Sequence, residues 1–148
     1  MSLYPTTATE PPCPLSPLTS QLPLPHPTKP VTVLGIEGSA NKVSAAILTY
    51  TPSNGGSYQT LSNPRKTYIS PPGHGFLPRE TSWHHQVHII PLIRSALLEA
   101  GITDPANQID AVTFTAGPGM GGPLASCAVA ARTVSVLWNV PLVGVNHW

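Results

Sequence analysis

The amino-acid sequence predicts an α/β layer built on a mixed sheet, in the order β-β-β-α-β-α-β. Three observations carry this expectation. Short β-branched segments open the ordered part in succession; two longer segments then space their apolar residues by three and four; and each of these is followed by a further apolar strand. Such an order yields an antiparallel meander first and parallel strands afterwards, reached through helical crossovers.

Residues 1–30 precede that pattern. They hold nine of the 19 prolines and only two charges, Glu10 and Lys29. Each proline removes a backbone donor and fixes φ, so neither a helix nor a sheet ladder runs through "PPCPLSPL" or "LPLPHPTKP". A disordered, partly polyproline tail is expected there, and residues 31–148 are expected to form the folded unit.

The first strand is "VTVLGIEG", with Val31, Val33, Leu34 and Ile36 as its apolar residues. "KVSAAILTY" is close enough to be its hairpin partner, and "TPSNGGS" reads as a plain loop. A third strand is expected around "RKTYIS", before the turn "PPGHG". The period then changes. From Glu80 to Ala100 the residues Trp83, Val87, Ile90, Ile93 and Leu97 mark one helix face, and Gly101 stands where a C-terminal cap belongs. Pro91 should kink this helix by removing the hydrogen bond to the Val87 carbonyl. "DAVTFTA" is a strand, "GPGMGG" a turn, and residues 123–138 a second helix with Pro123 in its first turn. "PLVGVN" closes the order as a strand whose residues Leu142 to Asn146 read as buried. The second helix carries a single charge, Arg132. A helix apolar or small on every side calls for cover on every side, from its own domain or from a partner.

Composition narrows the function. Seven basic against six acidic residues give a net charge of +1, which suggests neither a general nucleic-acid binder nor a membrane-surface protein. Cys13 and Cys127 lie in unlike contexts and show no disulfide or zinc spacing, so a reducing compartment is the default. The longest apolar runs fall far short of the roughly 18 residues a membrane span needs. No basic segment followed by an apolar core marks a secretory signal. A soluble intracellular protein is expected.

Four stretches hold candidate chemistry. "GPGMGG" matches G-x-G-x-x-G between a strand and a helix, but that reading requires an acidic residue about 20 positions on to bind a ribose. No Asp or Glu follows Asp110, so a dinucleotide site is rejected and a glycine-rich turn or an anion contact at a helix start remains. In "GIEGSANK", Glu37, Gly38 and Ser39 follow a strand; backbone amides and a hydroxyl there can face a phosphate, with Glu37 near a bound metal or water. A hairpin turn explains the same residues. In "HHQVH", His84 and His88 lie one helical turn apart without a third ligand, and read as solvated or core-edge histidines. "PPGHGFLPRET" is a stiff loop carrying His74, Arg79 and Glu80 into a helix start.

Taken together, "LGIEGSANK", "NPRKTYISPPGHGFLPRETSWHH", "FTAGPGMGGPL" and "AARTVSVLWNVPLVGVNH" resemble, in order and spacing, the N-terminal half of the tRNA threonylcarbamoyladenosine synthase family. The match is to its archaeal and eukaryotic branch, the catalytic subunit of the KEOPS complex, and covers about residues 31–147. The resemblance implies an actin-like ATPase (RNase H-like) fold of two lobes, of which residues 31–148 would be an incomplete N-terminal one. It implies transfer of a threonylcarbamoyl group from its adenylate to the N6 amine of the adenosine beside the anticodon, in tRNAs reading codons that start with A. It further implies a divalent metal, iron or zinc, acting as Lewis acid and template beside an adenylate or ATP-type nucleotide.

In the family two metal-binding histidines occupy the pattern N-H-x-x-G-H, and an Asp of the second lobe completes the site. Asn146 and His147 match the start of that pattern, after which Trp148 departs from it. His147 is thus expected to be a metal ligand, with the second His and the Asp absent from this sequence. A polypeptide from a truncated gene model or transcript, unable to catalyse the transfer, is the expectation. His74 stands where the eukaryotic branch usually has Glu or another residue, and Ala116 where it commonly has Lys. The expected partners are tRNA and KEOPS subunits: the kinase subunit in the full-length family, and above all the small dimerising subunit, docked on helices 80–100 and 123–138. If that contact survives without catalysis, the chain is a non-catalytic interaction module of the cytoplasm and nucleus.

Overall fold

The computed structural model describes residues 27–52 and 56–147. The proline-rich tail expected over residues 1–30 lies outside them except for its last four residues, as do part of the "TPSNGGS" loop and Trp148.

Strand β1 (Val31–Glu37) pairs antiparallel with β2 (Lys42–Thr51), which at ten residues is the longest strand. The far edge of β2 is shared by two short strands: β3 (Ser57–Ser62) along its second half and β4 (Arg65–Thr67) along its first. This corrects the single third strand expected around residues 65–70. Pro64 cannot donate to a ladder, so the pairing breaks at Asn63–Pro64, opposite a register shift between Ile47 and Leu48. The Pro64 carbonyl still accepts from the Ala45 amide at 3.2 Å. β3 escaped the sequence pattern because most of it is exposed and shows no apolar alternation.

Helix α1 (Pro78–Glu99) leads through a four-residue helix, α2 (Pro105–Gln108), to β5 (Ala111–Gly117), parallel to β1. Helix α3 (Gly121–Trp138) then leads to β6 (Leu142–Asn146), parallel to β5. The sheet order is β3-β2-β1-β5-β6, with β4 beside β2. Gly101 ends α1 as expected: at φ 71° it lets its own amide reach the Leu98 carbonyl at 3.1 Å and the Ile102 amide reach Leu97 at 2.9 Å. Pro91 does not interrupt α1; it is exposed, and the helix continues unbroken to Glu99.

Both long helices cover one face of the sheet. Leu34 lies level with Ile47 on β2 and Val112 on β5, and all three are fully buried. Ile36, Val43 and Ala45 extend that layer, which α1 caps with Ile89, Leu92, Ile93 and Ala96, and α3 with Cys127, Ala131 and Val134. Residues of the other parity, among them Gly35, Ser44, Ala46 and Thr113, line a shallow hollow on the opposite face.

Two burial expectations fail. The buried face of α1 is Thr81, His85, Ile89, Leu92, Ile93 and Ala96, whereas Trp83 is 52 % exposed and Val87 67 %. The helix is apolar on two faces, and periodicity alone does not say which one meets the sheet. β6 is an edge strand, with Val143 and Val145 45 % and 46 % exposed, because among the described residues only β5 pairs with it and the helices leave its outer residues uncovered.

Candidate functional site

Three parallel strands end side by side, and the residues just beyond their ends build the site. In open α/β sheets ligands sit past the carboxyl ends of the strands, where loops from neighbouring strands converge. Here β1 ends at Glu37, β5 at Gly117 and β6 at Asn146, and the next residues, Gly38–Ser39, Pro118–Gly119 and His147, are drawn together.

The turn after β1 folds back on its own carboxylate. Glu37 Oε1 accepts from the Ser39 amide at 2.9 Å and from Ser39 Oγ at 2.6 Å. Its other oxygen, Oε2, accepts from Thr115 Oγ1 on β5. His147 reaches the same cluster: Nε2 lies 2.8 Å from Ser39 Oγ and 3.9 Å from Glu37 Oε2, and its amide donates to the Gly117 carbonyl at 3.0 Å. Partial burial alone would raise the Glu37 carboxyl. The hydrogen bonds from Ser39 Oγ, Thr115 Oγ1 and the Ser39 amide, with the His147 imidazole nearby, outweigh burial and hold it below its ordinary value. The site therefore presents a fixed carboxylate and a half-exposed imidazole.

Three glycines let neighbouring segments meet. A Cβ at Gly119 would lie 2.5 Å from the Ser39 carbonyl oxygen, and the Met120 amide donates to that same oxygen at 2.7 Å. Gly38 is buried, and a Cβ there would run into Cys127 Sγ and the His85 ring. Gly122 brings α3 against α1, where its Cβ would meet Ser82 Cβ at 3.1 Å. Two glycines of "GPGMGG", Gly119 and Gly122, thus serve close approach, which fits a packed glycine-rich turn. Helix α3 starts there at the Met120 N-cap without a side-chain cap, leaving amides at its N-terminus near the cluster.

Of the residues singled out from sequence, Glu37, Ser39 and His147 come together, while Gly38 contributes packing beneath them. His84 and His88 stand apart on α1 with ring centroids 4.5 Å from each other, and His74 sits on the exposed loop before that helix. Thr115 was missed, since a threonine inside "VTFTAG" carries no signal by itself. Strand parity could have found it, because β5 runs parallel to β1 and both end here. For a metal the donor set is partial: the described residues contain no group of three or more His, Cys, Asp or Glu able to hold an ion. His147 with Glu37 would supply two of the roughly three protein ligands a catalytic metal needs.

Behind the turn lie two buried groups with measurable consequences. Burial, with the Glu37 carboxylate adding to it, pushes the Cys127 thiol up to about 12. In a Cys13→Ser background, Cys127 is expected to resist aromatic disulfide reagents until the chain unfolds; fast labelling with intact circular dichroism would contradict this. His85 is fully buried, and desolvation lowers its pKa despite the opposing pull of the Thr81, Lys42 and Ala40 carbonyls and of Glu37. A histidine held neutral in the fold binds its proton more readily when unfolded, so it withdraws stability as pH falls below its unfolded value of about 6.5. Urea midpoints at pH 7.5 and 5.5 should drop in the wild type and drop less in His85→Gln. Equal drops in both proteins would contradict the assignment.

Residues 58–148 match the family described as tRNA N6-adenosine threonylcarbamoyltransferase. A Cryptococcus neoformans protein of that name is 47% identical over 137 residues, covering 90% of this chain and 34% of its own length. The Homo sapiens protein of that name is 51% identical over 115 residues, covering 78% of this chain and 32% of its own. The chain thus spans about a third of the length of the relatives it matches. Among solved structures, YeaZ from Pseudomonas aeruginosa superimposes with a TM-score of 0.52 at 19% identity, over 78% of this chain and 44% of that one. At that identity the likeness bears on the fold alone, and it agrees with the actin-like ATPase (RNase H-like) lobe expected from the sequence.

Proposed function

The chain belongs to the tRNA N6-adenosine threonylcarbamoyltransferase family, and on that premise we propose that it forms the N-terminal lobe of such an enzyme. The complete enzyme moves a threonylcarbamoyl group from threonylcarbamoyl-adenylate to the N6 amine of the adenosine beside the anticodon, in tRNAs reading codons that start with A. The observation that carries this reading is the meeting of Glu37, Ser39, Thr115 and His147 at the carboxyl ends of β1, β5 and β6. His147 projects from the end of β6 as one nitrogen ligand for a divalent iron or zinc; that ion, when bound, would polarise the acyl carbonyl and orient the phosphate. Ser39 holds the imidazole through Nε2 and Glu37 supplies negative charge beside it. The uncapped amides at the start of α3 would offer donors to an adenylate phosphate.

With only part of a metal-ligand set among its described residues, the 148-residue chain by itself is expected not to perform the transfer. Incubated with tRNA and threonylcarbamoyl-adenylate, the purified chain is expected to form no modified nucleoside; its appearance in the tRNA digest would refute this.

A second reading rests on a different surface. Helices α1 and α3 enclose a groove of about 490 Å³ lined by Ser82, Gln86, Ile90, Ala125, Val129 and Thr133. Trp83, Val87 and Val129 stand exposed along it or beside it. Small residues admit a partner helix closely and the apolar rim favours its burial. The reading is docking of the small dimerising subunit of KEOPS, in the cytoplasm or nucleus, with or without catalysis. Val129→Asp would place a carboxylate in the groove and should abolish co-purification with that subunit while leaving circular dichroism unchanged. Undiminished co-purification would remove the reading.

A further inference from the structure

The Glu37–Gly38–Ser39 turn is held from the solvent side by Thr115 and His147, and from behind by a residue that the chemistry above does not use. His85 has no exposed surface. A Cβ placed on Gly38 would lie 2.8 Å from His85 Cδ2 and 3.2 Å from His85 Nε2, so the ring edge rests directly on the Gly38 backbone. Its Nε2 is nonetheless buried without a hydrogen-bond partner among the described residues. A buried polar nitrogen left unpaired costs about 1–3 kcal/mol, so a fold retains one only where something else is gained. The polar groups facing the ring are the carbonyls of Ala40 and Lys42 in the same turn, that of Thr81 one helical turn back, the Glu37 carboxylate and the His84 imidazole, whose Nδ1 lies 3.4 Å from His85 Nδ1.

We propose that His85 is a positioning residue of the site. Its ring edge fixes the Gly38–Ser39 turn from behind, and its polar nitrogen edge keeps the ring seated against the turn whose Ala40 and Lys42 carbonyls face it. Through that turn it governs where Ser39 Oγ stands, and Ser39 Oγ in turn holds both Glu37 and His147. Leucine at this position keeps bulk and loses the nitrogen. Glutamine carries an amide nitrogen to about the reach of Nε2, whereas asparagine is too short for it. The inference builds on the placement of the site proposed above, yet it concerns geometry that exists without metal or nucleotide.

Amide hydrogen exchange on the 148-residue chain, free of metal and nucleotide, tests it. The Ser39 and Met120 amides report the turn, because they donate to Glu37 Oε1 and to the Ser39 carbonyl. The Asp110 and Val112 amides, which donate to the Thr32 and Pro141 carbonyls, report the far end of the sheet. In His85→Leu, exchange at Ser39 and Met120 should rise about tenfold or more against Asp110 and Val112, and His85→Gln should return it close to the wild type. If His85→Leu does not fold, the comparison passes to His85→Gln and His85→Asn, with local acceleration expected only in the second. Unchanged exchange at the turn, uniform acceleration across the sheet, or no difference between glutamine and its comparator would overturn the proposal. A failure of the transferase reading would show separately, in the modified-nucleoside assay.

Discussion

Gly119→Ala is expected to destabilise the chain by about 1–3 kcal/mol and to unseat the site in the same step. The added methyl would lie 2.5 Å from the Ser39 carbonyl oxygen, 2.7 Å from Ser39 Cβ and 2.9 Å from Ser39 Cα. Two of these atoms are backbone in a turn buried against α1 and α3, so no side-chain rotation relieves the contact. Either the Pro118–Gly119 segment or the Gly38–Ser39 turn must move. Movement of either strains the bond from the Met120 amide to Ser39, and movement of the turn displaces Ser39 Oγ from His147. Gly121→Ala is the matched control: its Cβ would meet nothing within 4 Å, and it opens α3, where alanine is the better helix former. Urea denaturation should therefore lower the midpoint for Gly119→Ala and leave it equal or higher for Gly121→Ala. Equal midpoints in the two variants would show that the turn is not packed as described.

Leu34→Ala should cost still more, about 3–5 kcal/mol. Leu34 is fully buried on the central strand, level with Ile47 on one side and Val112 on the other, beneath both helices. The neighbouring strands are tied in register, so the vacated space cannot close by local collapse, and the large end of the range applies. Val33→Ala, one residue earlier on the same strand and only partly buried, should cost markedly less. The difference in unfolding free energy between the two variants measures which strand face meets the helices. Similar costs would contradict the parity that also sends Glu37 and Thr115 to the opposite side.

That parity was legible in the sequence where one strand face is apolar and continuous. The closeness of "KVSAAILTY" to β1 placed β2 as its hairpin partner, and Gly101 placed the end of α1, because both signals are local. β3 was not legible. Tyr58, Gln59 and Thr60 lie exposed along an edge, and their pairing is dictated by the length of β2 rather than by their own side chains. The stripe Trp83, Val87, Ile90 obeyed helical spacing and still pointed away from the core, since an apolar stripe has the same period whether or not it is the one that meets the sheet. At the site, Glu37, Ser39 and His147 were found through their strand ends and through the family resemblance. Thr115 and His85 needed the tertiary structure: one is a common strand residue, the other a polar side chain off the apolar stripe of its helix, yet fully buried.

That the carboxyl ends of β1, β5 and β6 form half of a threonylcarbamoyl-transfer site, with His147 as its metal-ligating residue, is tested most directly by a chimera. In it, residues 31–147 replace the matching segment of a full-length relative. The measurement is the rate of threonylcarbamoyladenosine formation in tRNA, with His147 intact and as His147→Ala. An active chimera is expected, with a loss of at least about a hundredfold in the variant, the scale that accompanies removal of a metal ligand. An active chimera whose rate is undiminished by His147→Ala would contradict this assignment.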